Sequence, residues 1–292
     1  MKIGIGLPAT ISGTKGKDLI EWARRADQGP FSSLGIIDRL VYPNYESMIT
    51  LAAAAGATQR IRLMTTILLA PIRDTAMLAK QAATLDAISG GRLTLGLSIG
   101  FRPDDFLAAQ VPFKKRGKIF EQQIGQMKQI WAGQPLGDSV GPIGPAPVQA
   151  GGPELLLGGY TPIALQRGGR LADGFISGGG ADPVRLKQSF QIFEKAWQDA
   201  GRKGQPRFVA CFYVAVGQEL AGRASEYIHD YYGRTNPMAD GIAQSIPLSP
   251  EEIQDKIHSV ADSGADEVIL WPAVADLDQV DRIAELVGQM GK

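Results

Sequence analysis

The sequence predicts an α/β protein, a (β/α)8 TIM barrel with insertions, formed as one domain over residues 1–292. Three observations lead there. Strand-like and amphipathic helical stretches alternate eight times along the chain, the order that builds a parallel sheet covered by helices. Composition does not shift anywhere along the chain, so nothing marks a second domain. GIGLPATISG, which runs from within the first strand into the loop after it, lacks the glycine spacing of a dinucleotide-binding turn and so disfavours the alternative, a doubly wound open sheet.

Lys2 to Leu7 is the first strand, and Asp18 to Asp27 is the helix that returns from it. Strand two is Ser33 to Asp38, and its helix runs from about Tyr45 to Ala57, including the small-residue run LAAAAGA (51–57). Ile61 to Leu69 is apolar and β-branched, which suits a strand covered on both faces. Ala76 to Ile88 carries an apolar stripe at helical spacing and stops at Gly90 and Gly91. Arg92 to Ile99 is the fourth strand. Its Leu93, Leu95, Leu97 and Ile99 alternate with Thr94, Gly96, Ser98 and Gly100, a nearly bare face that leaves room for a flat ligand. A helix follows from Arg116 to Trp131. Ala132 to Pro153 holds six glycines and five prolines in 22 residues and reads as loop. The remaining strands are Glu154 to Leu157, Gly174 to Ser177, Arg207 to Val216 and Glu267 to Trp271. Their helices are Pro162 to Leu171, Pro183 to Ala200, Leu220 to Tyr232, Pro250 to Ser263 and Asp278 to Met290, with Gly233 to Ser249 expected to be irregular and placed to act as a lid.

Charge and composition exclude several function classes. Thirty basic and thirty acidic residues cancel, and no local charge run attracts nucleic acid or an anionic membrane. Neither a signal peptide nor a membrane span is legible, so the expected location is the cytoplasm. One cysteine, Cys211, and two histidines, His229 and His258, make no disulfide framework or zinc cluster. The expected partner is a small-molecule substrate.

In such a barrel, chemistry sits at the C-terminal ends of the strands. Two of those ends share a design: Gly158-Gly159-Tyr160-Thr161-Pro162 and Gly178-Gly179-Gly180-Ala181-Asp182-Pro183 each put glycines and a capping residue before a proline-started helix. Backbone N–H groups at a helix N-terminus suit a phosphate; an ordinary turn gives the same pattern.

LAKQAATLDAISGGRLTLGLSIG with Asp105 and Phe106 beyond it, KKRGKIFEQ, and LLLGGYTPIALQRGGRLADGFISGG together resemble the bacterial luciferase-like superfamily of flavin and deazaflavin oxidoreductases, in the same order along the chain. The resemblance implies FMN or coenzyme F-420 at the barrel mouth, F-420 being the closer branch, with hydride or oxygen chemistry on a small organic molecule and a homodimer formed near the LAAAAGA helix. It also implies a bulge with a non-prolyl cis peptide at Thr66-Ile67 behind the ring, and a phosphate loop at Gly159 and Tyr160 with Thr161 beside it. Ile99, Gly100 and Asp104 are expected to flank the ring and ribityl chain, Arg116 to assist the phosphate, and Asp38 to sit at the ring edge. The pattern breaks at two points: relatives carry a histidine where this chain has Arg39, and the sugar-phosphate dehydrogenases of the deazaflavin branch carry a glutamate where it has Phe101.

Arg39 is therefore the candidate catalytic residue. It is a permanent cation that can stabilise a reduced ring or hold an anionic substrate but cannot shuttle a proton; the alternative is a scaffold arginine paired with Asp38 or another carboxylate. His229, His258 and Cys211 read as helix surface or packing, and Trp271 alone among the tryptophans stands where it can face a ligand. Three readings stay open: a redox enzyme, a ligand-holding flavoprotein without turnover, and a non-redox barrel enzyme holding a phosphorylated metabolite.

Overall fold

The computed structural model describes residues 1–180, 182–233 and 236–290. Ala181 of the second glycine loop and Arg234 and Thr235 of the 233–249 segment lie outside the described residues. Nine strands form the sheet: β1 (Lys2–Gly6), β2 (Ser33–Ile36), β3 (Arg62–Thr65), β4 (Leu68–Leu69), β5 (Leu93–Ser98), β6 (Glu154–Gly158), β7 (Gly174–Ile176), β8 (Arg207–Val214) and β9 (Glu267–Pro272). Among the described residues every pairing within this sheet is parallel, and β3 and β4 both pair with β5, so the sheet closes on itself. It is a (β/α)8 barrel whose third stave is broken into β3 and β4.

The break is a bulge, visible in the register. Met64 stands opposite Thr94 and Leu68 opposite Leu97, so four steps along the third stave match three along β5. One extra residue is inserted between Thr65 and Ile67. The surroundings are pared back to admit it. A Cβ on Gly96 would stand 2.1 Å from the Thr65 carbonyl oxygen, one on Gly35 would stand 2.9 Å from Thr66 Cγ2, and one on Gly158 would stand 2.1 Å from Ile67 Cδ1. At Gly96 the bare face of β5 is thus occupied by the protein's own backbone, and the expectation that this face leaves room for a ligand is corrected at that position, while Ser98 at the strand's end lines the open C-terminal mouth.

Strand alternation sorts the side chains into two cores. Leu93, Leu95, Leu97, Phe208 and Phe212 point outward into the layer between sheet and helices, while Met64, Leu156, Ile176, Val209, Ile269 and Trp271 fill the lumen. The N-terminal end of the lumen is closed by ions: Arg207 bridges Glu154 and the fully buried Glu267, Ser32 donates to Glu267 at 2.5 Å, and Thr94 donates to Glu154 at 2.8 Å. Ligand access is left to the C-terminal end.

The helices obey local signals. α1 (Gly16–Gln28), α2 (Ser47–Ala57), α3 (Thr75–Ile88) and α5 (Arg116–Trp131) pack on one side of the barrel circuit. α3 starts on Asp74, whose carboxylate accepts the Met77 N–H, and stops where Gly90 and Gly91 adopt φ of 66° and 82°. Leu51, Ala54 and Ala55 of the LAAAAGA run are buried against α2's neighbours, while Ala52, Ala53 and Gly56 are exposed. α4 (Pro103–Ala108) is a short helix not anticipated from the sequence. The 132–153 loop is pinned by buried Asp86, which accepts the Val148 and Gln149 N–H groups at 2.8 and 3.0 Å.

α6 (Pro162–Leu171), α7 (Pro183–Asp199), α8 (Ala221–Tyr232), α10 (Pro250–Asp262) and α11 (Asp278–Met290) complete the circuit, with α9 (Pro237–Gln244) between α8 and α10. The 233–249 segment is therefore not irregular throughout. Asn236 caps α9 by accepting the Met238 N–H, and Pro237 occupies its first position, a start signal present in the sequence and overlooked. None of the described helices is long and apolar enough to cross a membrane.

Gly96→Ala should destabilise the fold by about 2–3 kcal/mol, because its Cβ meets backbone that cannot retreat without undoing the bulge. Gly125→Ala, at a mid-helix site whose Cβ would meet nothing within 4 Å, should stabilise by about 0.5–1 kcal/mol. Denaturant unfolding of the two variants checks both signs, and a neutral Gly96→Ala contradicts the bulge.

Candidate active site

A cavity of about 200 Å³ opens at the C-terminal mouth. Its wall includes the bulge residues Thr66 and Ile67, the strand-end residues Asp38, Arg39, Ser98 and Trp271, the glycine-loop residues Gly158, Gly159, Tyr160, Gly178 and Gly179, and Tyr231 and Tyr232 of α8.

The bulge is held from three sides. Thr65 Oγ1 donates to the Gly96 carbonyl at 2.7 Å, the Trp271 indole N–H donates to Thr66 Oγ1 at 3.2 Å, and the Leu69 N–H donates to Asp38 Oδ2 at 2.9 Å. Asp38 Oδ1 accepts from Ser47 and from Arg73, both at 2.9 Å, and Arg73 also reaches Glu46 at 2.6 Å. Burial pushes the Asp38 carboxyl above its ordinary range, and the Arg73 guanidinium, the Leu69 amide and the Ser47 hydroxyl pull it back. Both its oxygens are engaged in scaffold, so Asp38 borders the cavity as a support for the bulge.

Arg39 is not paired with Asp38. Its Nη1 donates to the Tyr231 carbonyl at 3.0 Å and its Nη2 reaches Asp104 at 3.3 Å, with the guanidinium 5.0 Å from the Tyr42 ring centre and 5.8 Å from that of Tyr231. Arg102 donates to the same Tyr231 carbonyl at 2.8 Å and lies 5.1 Å from the Phe101 ring centre and 5.3 Å from that of Tyr231. Tyr213, Tyr227, Tyr231 and Tyr232 pack beside them, Tyr213 on Tyr227 and Tyr232 and Tyr231 on Tyr232 edge to face and Tyr227 on Tyr231 tilted, and burial raises all four phenols, which stay neutral hydroxyls. His229 faces elsewhere: its Nε2 lies 2.8 Å from Asp240, joining α8 to α9. Asp105 accepts the Leu40 and Val41 N–H groups on Oδ1 at 3.1 and 2.7 Å, fixing the chain just after Arg39.

The two glycine loops are tied together. The Gly178 N–H donates to the Tyr160 hydroxyl at 2.7 Å, and the Arg185 guanidinium lies 4.1 Å from the Tyr160 ring centre. Gly159 has φ 155°, and a Cβ there would stand 2.6 Å from Ala164 Cβ. Thr161 caps α6 through the Ala164 N–H, and Asp182 caps α7 through the Val184 and Arg185 N–H groups. The second loop's amides are thus partly consumed by the protein itself, and the first loop is the better seat for an anion.

This geometry can be set beside known proteins. The family model described as "Luciferase-like monooxygenase" matches residues 1–291. The chain belongs to the luciferase-like monooxygenase family. It is 33% identical to an uncharacterized protein of Mycobacterium tuberculosis over 216 residues, 63% of this chain and 72% of that one. A solved "F420-dependent secondary alcohol dehydrogenase in complex with an F420-acetone adduct" superposes with a TM-score of 0.80 at 17% identity, covering 98% of each chain. The oxygenating constituent of 3,6-diketocamphane monooxygenase from Pseudomonas putida, a type II Baeyer-Villiger monooxygenase solved with FMN, gives 0.78 at 18% identity, covering 99% of this chain and 98% of that one. At these identities the structural likeness shows the fold.

In this luciferase-like barrel, six of the expected site residues meet at one cavity: Asp38, Arg39, Thr66, Ile67, Gly159 and Tyr160. Five stand outside its lining. Ile99 packs on the outer core because the inward position at the end of β5 belongs to Ser98, and Gly100, past the strand end, turns at φ 73° against Phe106. Asp104 is half exposed and reaches the cavity only through Arg39. Thr161 is spent on its cap, and Arg116 stacks 3.8 Å from the Phe113 ring centre and donates to the Phe113 carbonyl. The bulge is present, but the Thr66-Ile67 peptide is trans; the cis bond among the described residues is Gly144-Pro145. The inserted residue bends the strand without it. Sequence reasoning missed Arg102, Arg185, Tyr213, Tyr231 and Tyr232, which come together from distant elements.

Tyr160→Phe removes the acceptor of the Gly178 N–H and should cost about 1 kcal/mol near neutrality. Burial, against that hydrogen bond, pushes the Tyr160 phenol up to about 12. A raised folded value means that this contribution is complete below the free-tyrosine value and declines as pH rises through the folded one. Unfolding measured at several pH values should therefore show the wild-type advantage constant up to about pH 10 and shrinking above it.

Proposed function

We propose that this chain is an oxidoreductase that binds coenzyme F-420 in preference to FMN and acts on a small organic molecule. The carrying observation is the cavity itself: a flat wall made by the Thr66–Ile67 bulge, a rim of glycine backbone at Gly158, Gly159 and Gly179, and aromatic cover from Tyr213 and Trp271. Such a cradle fits a tricyclic ring with a phosphorylated tail. Side chains at Gly158 or Gly179 would collide with Ile67 or with Tyr213 and Trp271. The backbone at Gly159 and Tyr160 would receive the tail's phosphate, with the Arg185 cation beside the Tyr160 ring. The F420-dependent alcohol dehydrogenase and the FMN-bound monooxygenase share this barrel, which supports a tricyclic ligand of either kind.

The ring, when bound, supplies hydride transfer or electrons for oxygen activation. The protein's part is positional and electrostatic. Thr66 and Ile67 set the plane against which the ring lies, and the tyrosines and Trp271 exclude water. Arg39, held over Tyr42 and by the Tyr231 carbonyl, keeps a fixed positive charge at the mouth. It favours negative charge that develops there and, being permanently protonated, moves no proton. A binding role without turnover is the second reading, favoured by Arg39 itself, since neither of the chain's two histidines lines the cavity.

Fluorescence titration with F-420 and with FMN tests the proposal. The expected result is saturable uptake, tighter for F-420; no uptake of either overturns it. Gly158→Ala pushes the flexible end of Ile67 into the ring's space and should weaken uptake by about tenfold while the fold survives. Oxidation of the reduced cofactor only when a substrate collection is added separates turnover from binding alone.

A further inference from the structure

We propose that Arg39 and Arg102 form a clamp for the carboxylate of an organic acid, so that the substrate of this site is a small monocarboxylate with an apolar or aromatic body. The inference deepens the functional reading above and rests on it for the word substrate, but the clamp itself rests on separate observations. Two guanidinium groups donate to one carbonyl oxygen, that of Tyr231, at 3.0 and 2.8 Å. Like charges brought this close repel, and the partial negative charge of the last turn of α8 offsets only part of that repulsion. The Arg39 side chain is 10% exposed, and its Nε is buried with no hydrogen-bond partner among the described residues. Arg102 makes no ion pair with a carboxylate among the described residues, and the single carboxylate on Arg39, Asp104, is 47% exposed and 3.3 Å away. Ten guanidinium N–H donors therefore face three acceptor contacts, on a cavity wall that both residues share.

The shortfall fits one oxyanion of planar, two-oxygen geometry. Its position separates it from the seat proposed for the cofactor's tail. Arg39 follows β2 and the first glycine loop, with Gly159 and Tyr160, follows β6, three staves away around the barrel. A ligand whose tail lies at Gly159 leaves the arginine rim for a second molecule. The rest of that rim is Phe101, Tyr231 and Tyr232, surfaces that suit the apolar body of an acid better than a sugar or a polyanion.

Calorimetric titration with phenylacetate and with phenylacetamide, which share a body and differ in charge, tests the clamp on the protein as purified and after loading with F-420 or FMN. The acid should bind at least about tenfold more tightly than the amide. Arg102→Gln should erase that difference, and Arg102→Lys should restore part of it. Asp104→Asn, which removes the competing carboxylate from Arg39, should tighten the acid; a merely structural Arg39 would not produce that gain. Equal binding of acid and amide, no binding of the acid, or an Arg102→Gln variant that loses cofactor uptake while keeping its preference for the acid overturns the proposal. Acid preference without uptake of either tricyclic compound leaves the clamp standing and defeats the cofactor reading; uptake without acid preference does the reverse.

Discussion

The inserted residue in the third stave is the constraint on which the site depends. A bulge forfeits regular ladder pairing and leaves backbone groups to be satisfied elsewhere. Here the replacement partners are side chains from around the barrel: Thr65 to Gly96, Trp271 to Thr66, and Asp38 to the Leu69 amide. Each such bond nets about 1 kcal/mol, and losing one inside the barrel costs more because its partner is stranded. Glycines at 35, 96 and 158 supply the space, so the bulge is a property of five strands rather than of one.

The two ends of the lumen divide stability from chemistry. At the N-terminal end the Glu154–Arg207–Glu267 network fills the floor, with its hydrogen bonds completed by Ser32 and Thr94. At the C-terminal end the cations Arg39 and Arg102 are held by aromatic faces and a helix-end carbonyl instead of by buried carboxylates. A cation supported in this way keeps its charge available to a ligand, whereas Arg73, locked between Asp38 and Glu46, does not. The neighbouring residues Asp38 and Arg39 thus differ: both oxygens of Asp38 are tied into the wall, whereas Arg39 lines the cavity that the wall bounds.

Much of this was legible in the sequence, for identifiable reasons. Period-two and helical apolar patterns located the strands and helices, and glycine pairs before proline-started helices located the loops at 158–162 and 178–183. Asp38, Arg39, Thr66, Ile67, Gly159 and Tyr160 reach one cavity because strand ends in a closed barrel must converge. Ile99 stands outside the cavity lining by pleat parity, since the neighbouring Ser98 faces inward, and Gly100 does so because the chain turns at φ 73° just past the end of β5. The bareness of Gly96 was real, but its cause was a carbonyl from the next stave, which no local pattern reveals. Tyr231, Tyr232 and Arg102 were out of reach because α8 and the segment after β5 meet only through tertiary packing. α9 was a different kind of miss, its Asn-Pro start being present at 236–237.

The account as a whole turns on the claim that the bulge is the wall against which a planar ring rests. A crystal structure of the protein grown with F-420, or with FMN if F-420 is not taken up, tests that claim directly. The account predicts ring density stacked on the backbone at Thr66 and Ile67, the tail's phosphate at Gly159 and Tyr160, and the arginine rim left free. Ring density elsewhere on the barrel, or a ring held by Arg39 and Arg102 with the bulge uncovered, would contradict it.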